Sequence, residues 1–342
     1  ETVVVHVDHR AQEGRRAKGV VVAETLKQSD RDGAAHGVAG QVHCWLGPGA
    51  HFDQLCLDHG DERFRVIDIV YEPFDVAFVG VVTLLDENRM PFEKDSLDPE
   101  GIVLARPGFL FISSEGDAEE DPPIDPFVNR FNLEGKQTKA LPVPDKFLPD
   151  GAETYGIRDN LAFESLTVSP DRRYLYTAVE NALVQDGPKS TLETDTPSRV
   201  LQYKMSPGRP QAEFVYVTSR IPVVPDGFAD NGLVELVALD NVGTFLALER
   251  SYASGVGNTI VLFETSTQGA TDVSGLDALW DEGTDTPVAF DAMSKRLVKD
   301  LADLGVDPDN VEGMTFGPKL ADGRQTLILV SDNNFNPPYQ EY

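Results

Sequence analysis

The chain has 342 residues, 41% of them hydrophobic, enough to bury a large core as one or two domains, and no apolar run reaches the ~18 residues of a membrane span. Its 57 acidic against 29 basic side chains leave a formal charge of -28, which argues against nucleic acid or anionic membranes as partners and favours a protein that binds or tolerates cations. Two cysteines, Cys44 and Cys56, make no disulfide framework.

Residues 1–60 differ in kind from the rest. All six histidines and both cysteines lie there, and the segment is close to neutral. Residues 3–7 and 20–23 read as strands. His43, Cys44, His51, Cys56 and His59 cluster in sequence, but no spacing among them matches a zinc pattern. The segment reads as a metal site, as a surface stretch with scattered histidines, or as a beginning foreign to the pattern that follows. It is set apart as an anomalous N-terminal unit, an atypical first blade, from a main domain over 61–342.

From Phe64 onward the chain is strand-rich. Residues 64–69 and 76–85 alternate or run β-branched, as strands do. Residues 116–127 form an acidic, proline-rich loop before a strand at 127–133. Further strands are predicted at 199–204, 214–218 and 260–263, with polar loops at 182–197 and 266–287. The spacing of apolar residues at 297, 298, 301 and 304 predicts one short helix over 292–304, stopped by Gly305, with a strand at 296–298 as the rival.

One arrangement recurs four times. In 160–181 (NLAFESLTVSPDRRYLYTAVEN), Glu164 opens a strand, Pro170 and Asp171 make the turn, and Glu180 closes the next strand. Glu100 and Glu115, Glu235 and Glu249, and Glu312 and Asp332 repeat the pattern, with acids 15, 16, 14 and 20 residues apart in chain order. Units begin roughly 65 to 77 residues apart, which suits four-stranded blades with long outer loops. The expectation is an all-β fold, a β-propeller.

Innermost propeller strands run along a central channel, so acids at one end of them converge. Glu100, Glu115, Glu164, Glu180, Glu235, Glu249, Glu312 and Asp332 are the candidate ligands. So many carboxylates cannot all ionise in one confined space without cations, and an all-oxygen set suits calcium better than magnesium. The plain alternative is solvated strand ends. Arg158 and Arg250 stand beside the acids and can fork onto a phosphate, or simply pair with a neighbour. Asn160, Asn310, Asn333 and Asn334 offer carbonyl ligands or serve in turns. There is no G-x-S-x-G and no histidine in the repeat region, so a serine-hydrolase mechanism lacks its base. Hydrolysis, if catalysed, would run through a metal-activated water, with Glu164, Arg158 and Arg250 as the catalytic group. A glycosidase with two carboxylates would want an aromatic groove, and only Trp45 and Trp280 are on hand.

The stretches DPEGI…LFISSEGD, RDNLAFESLTVSPDRRYLYTAVENAL, FLALERSY and DNVEGMTFGPKLADGRQTLILVSDNNF resemble the phytase-like family, described as "esterase-like activity of phytase", over about 64–336. The resemblance implies a propeller, six-bladed by family impression, that is secreted or periplasmic and often bacterial; a monomer is expected. It implies acids at Glu100, Glu115, Glu164, Glu180, Glu249, Glu312 and Asp332, with Arg158, Arg250 and Asn333, and a calcium-dependent phosphoesterase acting on a small phosphorylated substrate. A non-catalytic, calcium-stabilised binding or surface module is the other reading. The G-L-S-G-L and Y-x-x-S-D-D-R signatures of the family's first strands are not found in 1–60, and the prolines at 337–338 argue against a full final strand.

Overall fold

Strands alternate the direction of successive side chains, so a strand buried along its whole length must be covered on both faces. Several strands here are of that kind, and the fold follows from it. The computed structural model describes residues 81–331 with their side chains, apart from residues 95, 107, 282, 306–307 and 318–324, and the backbone of the strands flanking that range. The histidine- and cysteine-bearing stretches of 1–60 lie outside the residues described with side chains, as do Asn333, Asn334 and the prolines at 337–338.

The first two strands are β1 (Thr2–Val7) and β2 (Val21–Glu24). Then come β3 (Cys44–Leu46), β4 (Phe52–Asp58), β5 (Arg63–Tyr71) and β6 (Phe74–Thr83), which form one antiparallel sheet in that order. The next sheet is β7 (Pro99–Arg106), β8 (Phe109–Ser114), β9 (Phe127–Asn132) and β10 (Gln137–Ala140). The third is β11 (Phe163–Val168), β12 (Tyr174–Val179), β13 (Thr196–Lys204) and β14 (Arg209–Thr218). The fourth contains β15 (Ala229–Ala238), β16 (Thr244–Ala253) and β17 (Gly257–Ser266). A small hairpin, β18 (Trp280–Asp281) with β19 (Thr286–Pro287), precedes its outer strand β20 (Ser294–Asp300). Last come β21 (Asn310–Lys319) and β22 (Gln325–Asp332).

The fifth sheet has the order β2-β1-β22-β21, so strands from the two ends of the chain complete one blade. The register runs from Thr2 opposite Val330 to Val7 opposite Gln325. The inner strands β3, β7, β11, β15 and β21 touch one another in that cyclic order, β21 meeting β3. This is a β-propeller, and the shared blade shuts the ring, the innermost strand of each sheet being paired on one side only. Among the described residues there are five four-stranded sheets, where six blades were expected; β1 and β2 complete the blade of β21 and β22 instead of starting one of their own.

The core lies between blades. On β12, Leu175 and Val179 pack toward the β7–β10 blade while Tyr176 and Ala178 pack toward the β15 blade. On β16, Phe245 and Ala247 face the β11–β14 blade, and Leu246 and Leu248 face β21 and β22. Tyr176 and Phe245 meet edge to face across their seam, centroids 4.8 Å apart. Each fully buried leucine of this kind contributes about 1.5–3 kcal/mol.

The predicted helix over 292–304 is corrected. Residues 294–300 form β20, paired with β17 from Ser266 opposite Ser294 to Val261 opposite Asp300. Only Leu301–Leu304 turns helically, as a single 3-10 turn closed by Gly305 at φ 72°. Hydrogen bonding to the open edge of β17 outweighed the local helical spacing. The 266–287 loop is not free either. Val273 and Leu279 pack on Val215, and Lys146 Nζ donates to the carbonyls of Ser274 (2.8 Å) and Leu276 (2.9 Å).

Candidate metal centre

The inner hairpins carry a β-bulge at the same height. The ladder skips between Phe163 and Ser165, leaving Glu164 as the extra residue. It skips between Val311 and Gly313, leaving Glu312, and between Pro99 and Ile102, leaving Glu100 with Gly101. A bulge inserts one unpaired residue and shifts the register by one across it, which re-aims that side chain. Glu100, Glu164 and Glu312 are each no more than 1% exposed.

The closing position of each hairpin is one residue beyond the partner of the pre-bulge residue. That position holds Glu115 after β8 and Glu180 after β12, both buried. These closing side chains cross to the next blade. Glu115 Oε1 accepts from the Ala162 amide in a short hydrogen bond. Glu180 lies against Gly232 so closely that a methyl group there would sit 1.8 Å from Glu180 Oε1. Gly101 has a similar role beside Glu100, where a Cβ would lie 2.5 Å from Leu166 Cβ. Small residues at these two points let backbone and carboxylate share one seam.

The β15–β16 hairpin departs from this. Its bulge falls between Leu233 and Glu235, so the extra residue is Val234. Val234 packs in the apolar cluster with Leu246 and Val311. Glu235 therefore takes the place that Gly101, Ser165 and Gly313 hold elsewhere. Its carboxylate accepts from the Leu236 amide (2.8 Å) and lines a cavity of about 280 Å³ with Leu104, Thr167, Val237, Thr315 and Phe316. The closing position of this hairpin is Arg250, one residue past the Leu233 partner Glu249.

Among the described residues, Arg250 is a basic side chain ion-paired within the carboxylate group. Its Nη2 lies 3.2 Å from Glu312 and 3.4 Å from Glu180. Burial works against its charge, but Glu312, Glu180 and Glu164 outweigh that and hold it protonated. Asn310, two residues before Glu312, donates to Glu312 Oε1 (2.9 Å).

On the other side, Asp98, Glu100 and Glu115 present carboxylate oxygens within 4.8 Å of one another. Oxygen ligands at 2.3–2.6 Å from one calcium ion are at most ~5 Å apart, so one ion can reach all three. Burial, then repulsion from Asp159 and Asp117, raises the Asp98 carboxyl to about 7. Burial raises Glu180 to about 8, with Arg250 pulling it down and Asp230 pushing it up. Glu100, Glu115 and Glu164 are driven well above the usual carboxylate range by burial and then by neighbouring acids, Glu164 first for Glu100, Asp98 for Glu115 and Glu115 for Glu164. Glu164 Oε2 and Arg250 Nε are buried and have no hydrogen-bond partner among the described residues. Buried carboxyls whose hold on protons is raised by burial and by neighbouring acids, with a Glu164 oxygen left over, fit a hard divalent cation.

The predicted residues thus divide. Glu100, Glu115, Glu164, Glu180 and Glu312 come together with Arg250. Glu235 stands beyond the bulge. Glu249 points away from the group; it takes a short ion pair with Lys295, a hydrogen bond from the Tyr216 hydroxyl (2.7 Å) and one from the Ser219 amide (3.2 Å). Arg158 does not face the carboxylates; it donates to the carbonyls of Ala182 (3.0 Å) and Gly187 (2.9 Å). Asp332 is placed by backbone register alone, opposite Asn310.

Asp98 was not among the predicted ligands, yet it lies two residues before Glu100, and strand periodicity alone puts both on one face. A second buried charge cluster also escaped notice. Arg199 pairs with Asp186 (2.6 Å) and Glu213 (2.8 Å), and Lys146 with Glu213 (3.4 Å). Asp186 also accepts from the Leu279 amide, so this cluster anchors the 266–287 insertion. Past Arg250 on the same face of β16 is Tyr252, half-exposed, with its ring 6.4 Å from that of the exposed Phe228.

The family profile described as "Phytase-like: Esterase-like activity of phytase" matches residues 55–335. An "Uncharacterized secreted protein" of Arthroderma benhamiae is 28% identical over 191 residues, which cover 47% of this chain and 35% of that protein. The chain thus spans about a third of that relative's length. Among solved structures, the Dos1 propeller aligns at TM-score 0.35 and 8% identity, over 85% of this chain and 68% of that one. The C-terminal WD40 domain of Sif2 aligns at 0.29 and 8%, over 86% and 96%. Among the described residues no helix is long and apolar enough to cross a membrane.

Proposed function

Because this chain belongs to the phytase-like family, "esterase-like activity of phytase", we propose that it is a calcium-dependent phosphoesterase of the phytase class, secreted like the fungal relative's description, acting on small phosphorylated substrates. One observation carries this: buried carboxylates from three blades meet with a single arginine among them, and Glu164 Oε2 is left over. Asp98, Glu100 and Glu115 are the residues that would hold calcium. A bound ion would supply Lewis-acid polarisation of a phosphoryl oxygen.

The chain's own side chains do the rest. Arg250 orients an anionic substrate oxygen at the β15 side of the pocket while staying tied to Glu180 and Glu312. Glu164, between Arg250 and the triad, accepts a proton from the attacking water. Phe228 and Tyr252 offer an apolar rest beside Arg250 for the body of the substrate. The test is phosphate release from phytate and from p-nitrophenyl phosphate. Activity should require calcium, vanish with a chelator, and fall at least ~100-fold in Glu164→Gln. Calcium-independent turnover, or full activity in Glu164→Gln, would refute it.

A second reading rests on the seam-crossing side chains. Glu115 and Glu180 each reach the neighbouring blade, so an ion on them would tie blades together without any chemistry. A melting temperature that climbs with calcium in a protein that hydrolyses neither substrate would favour this binding or surface module.

A further inference from the structure

Beyond their bulges the inner hairpins differ in length. The β7–β8 ladder has one further pair, Pro99 with Ser114, and the β11–β12 ladder one, Phe163 with Val179. The β21–β22 ladder has two, Val311 with Ser331 and Asn310 with Asp332. The β15–β16 ladder has five, from Leu233 opposite Glu249 to Ala229 opposite Ala253. Four pairs more than β11–β12, at ~3.3 Å per residue, lengthen this hairpin by about 13 Å at the carboxylate end. The neighbouring strand β17 accompanies it to its tip, with Gly257 opposite Ala253.

The extension is held firmly and is apolar at its tip. The Asp226 amide donates to the Ser254 carbonyl (2.8 Å) and the Ser254 amide to the Phe228 carbonyl (2.9 Å), so the chain before β15 stays joined to the chain after β16. Phe228 is 61% exposed and Tyr252 39%, and Val224 and Val256 are exposed in the same two loops. Exposed apolar side chains gathered beside a charged pocket mark a contact surface. Strand alternation sets Tyr252 on the face of Arg250, two residues earlier, and its ring lies 6.4 Å from that of Phe228. Arg250 makes both its described ion pairs through Nη2, and 16% of its side chain is open to solvent.

We propose that the long β15–β16 hairpin is a specificity wall. Arg250 takes the phosphate of a substrate, and Tyr252 with Phe228 takes an aromatic group attached to it, so the site prefers a phosphomonoester with an aromatic body over one with a hydrophilic body. This wall deepens the phosphoesterase reading above and rests on Arg250 being its anion-binding group. Two residues of strand separate Arg250 from Tyr252 by roughly 6.6 Å, which a short linker between phosphate and ring can span. An aromatic body laid against the two rings leaves water and gains ring contacts, whereas a polyol gains neither.

The experiment uses the full chain with calcium present and has two arms. In the first, titration calorimetry compares benzylphosphonate with methylphosphonate, neither of which can be hydrolysed at an ester bond. The wild-type chain should bind the benzyl compound at least ~10-fold more tightly, and the double variant Phe228→Ser with Tyr252→Ser should bring the two within ~2-fold. In the second arm, the ratio of kcat/KM for benzyl phosphate to that for glycerol 1-phosphate, both with alkyl leaving groups, should fall by the same factor in the double variant. Circular dichroism and melting check the fold; should the double variant fail, Tyr252→Ser alone decides. Equal affinity for the two phosphonates in the wild type, or a benzyl preference that survives in the folded variant, would overturn the proposal and leave the apolar tip as a docking surface for another macromolecule. Hydrolysis without a benzyl preference would sink the wall and leave the phosphoesterase reading standing. A benzyl preference lost in the variant, in a chain that hydrolyses nothing, would sink the enzymatic reading and leave the wall as a ligand site. Binding of neither phosphonate would sink both.

Discussion

The β11–β12 and β15–β16 hairpins have the same bulge at the same height and fill it in opposite ways. In the first, Glu164 and Glu180 put two buried carboxylates at one end of the hairpin. In the second, Val234 joins the seam packing with β21 and Arg250 brings a positive charge. The contrast shows that a propeller can set the charge of its channel one blade at a time, because the bulge fixes where a side chain goes whatever its chemistry. It also shows why the pocket tolerates its carboxylates: the odd blade supplies part of the countercharge.

The comparison breaks most visibly at Arg250. In calcium-free protein, Arg250→Ala should cost about 3–5 kcal/mol in chemical denaturation, since it strands Glu180 and Glu312, and added calcium should restore much of the loss. A loss within error would mean that the odd blade neutralises nothing.

The pH dependence is the next way to test it. Asp98 and Glu180 have folded-state values raised to about 7 and about 8, so the fold binds their protons more tightly than the unfolded chain does. That stabilisation is full below about pH 4 and is lost as pH climbs through 7 to 8. Melting in a chelator should therefore fall between pH 5 and pH 8, and calcium should flatten the curve by taking the protons' place.

Glu249→Gln should destabilise by roughly 2–3 kcal/mol, because it leaves Lys295 half-buried without its carboxylate. Calcium affinity should not change, which separates this acid from its neighbours in sequence. Gly232→Ala should cost roughly 1–3 kcal/mol by driving a methyl group into Glu180. Gly227→Ala, where a Cβ would make only ordinary contact with Ser254 at 3.8 Å, is its control. The smallest effect is expected for Glu235→Gln, whose calcium affinity should stay within about 2-fold of wild type by titration calorimetry; a large drop would return Glu235 to the ligand set.

Much of this was legible in the chain. Alternating apolar runs broken by Pro-Asp and Asp-Asn turns marked the hairpins, and the paired acids marked which end of them mattered. The separations even held the clue to the odd blade. Glu235 and Glu249 are 14 residues apart, whereas Val234 and Arg250 are 16 apart, like Glu164 and Glu180. Acid content was matched instead of register, and a shift of one residue turns a strand's side chains to the other face.

Local sequence by itself determined the strands, the turns and the presence of buried-site carboxylates, because these depend on two-residue periodicity and turn chemistry that each segment carries alone. Only the tertiary structure decided that Glu249 belongs to Lys295 and Arg250 to Glu180 and Glu312, that residues 294–300 join a sheet edge, and that β1 and β2 complete the blade of β21 and β22. Those outcomes rest on which partner is nearby once the blades pack, and the charge or hydrogen bond that a distant strand offers cannot be read from the segment that receives it.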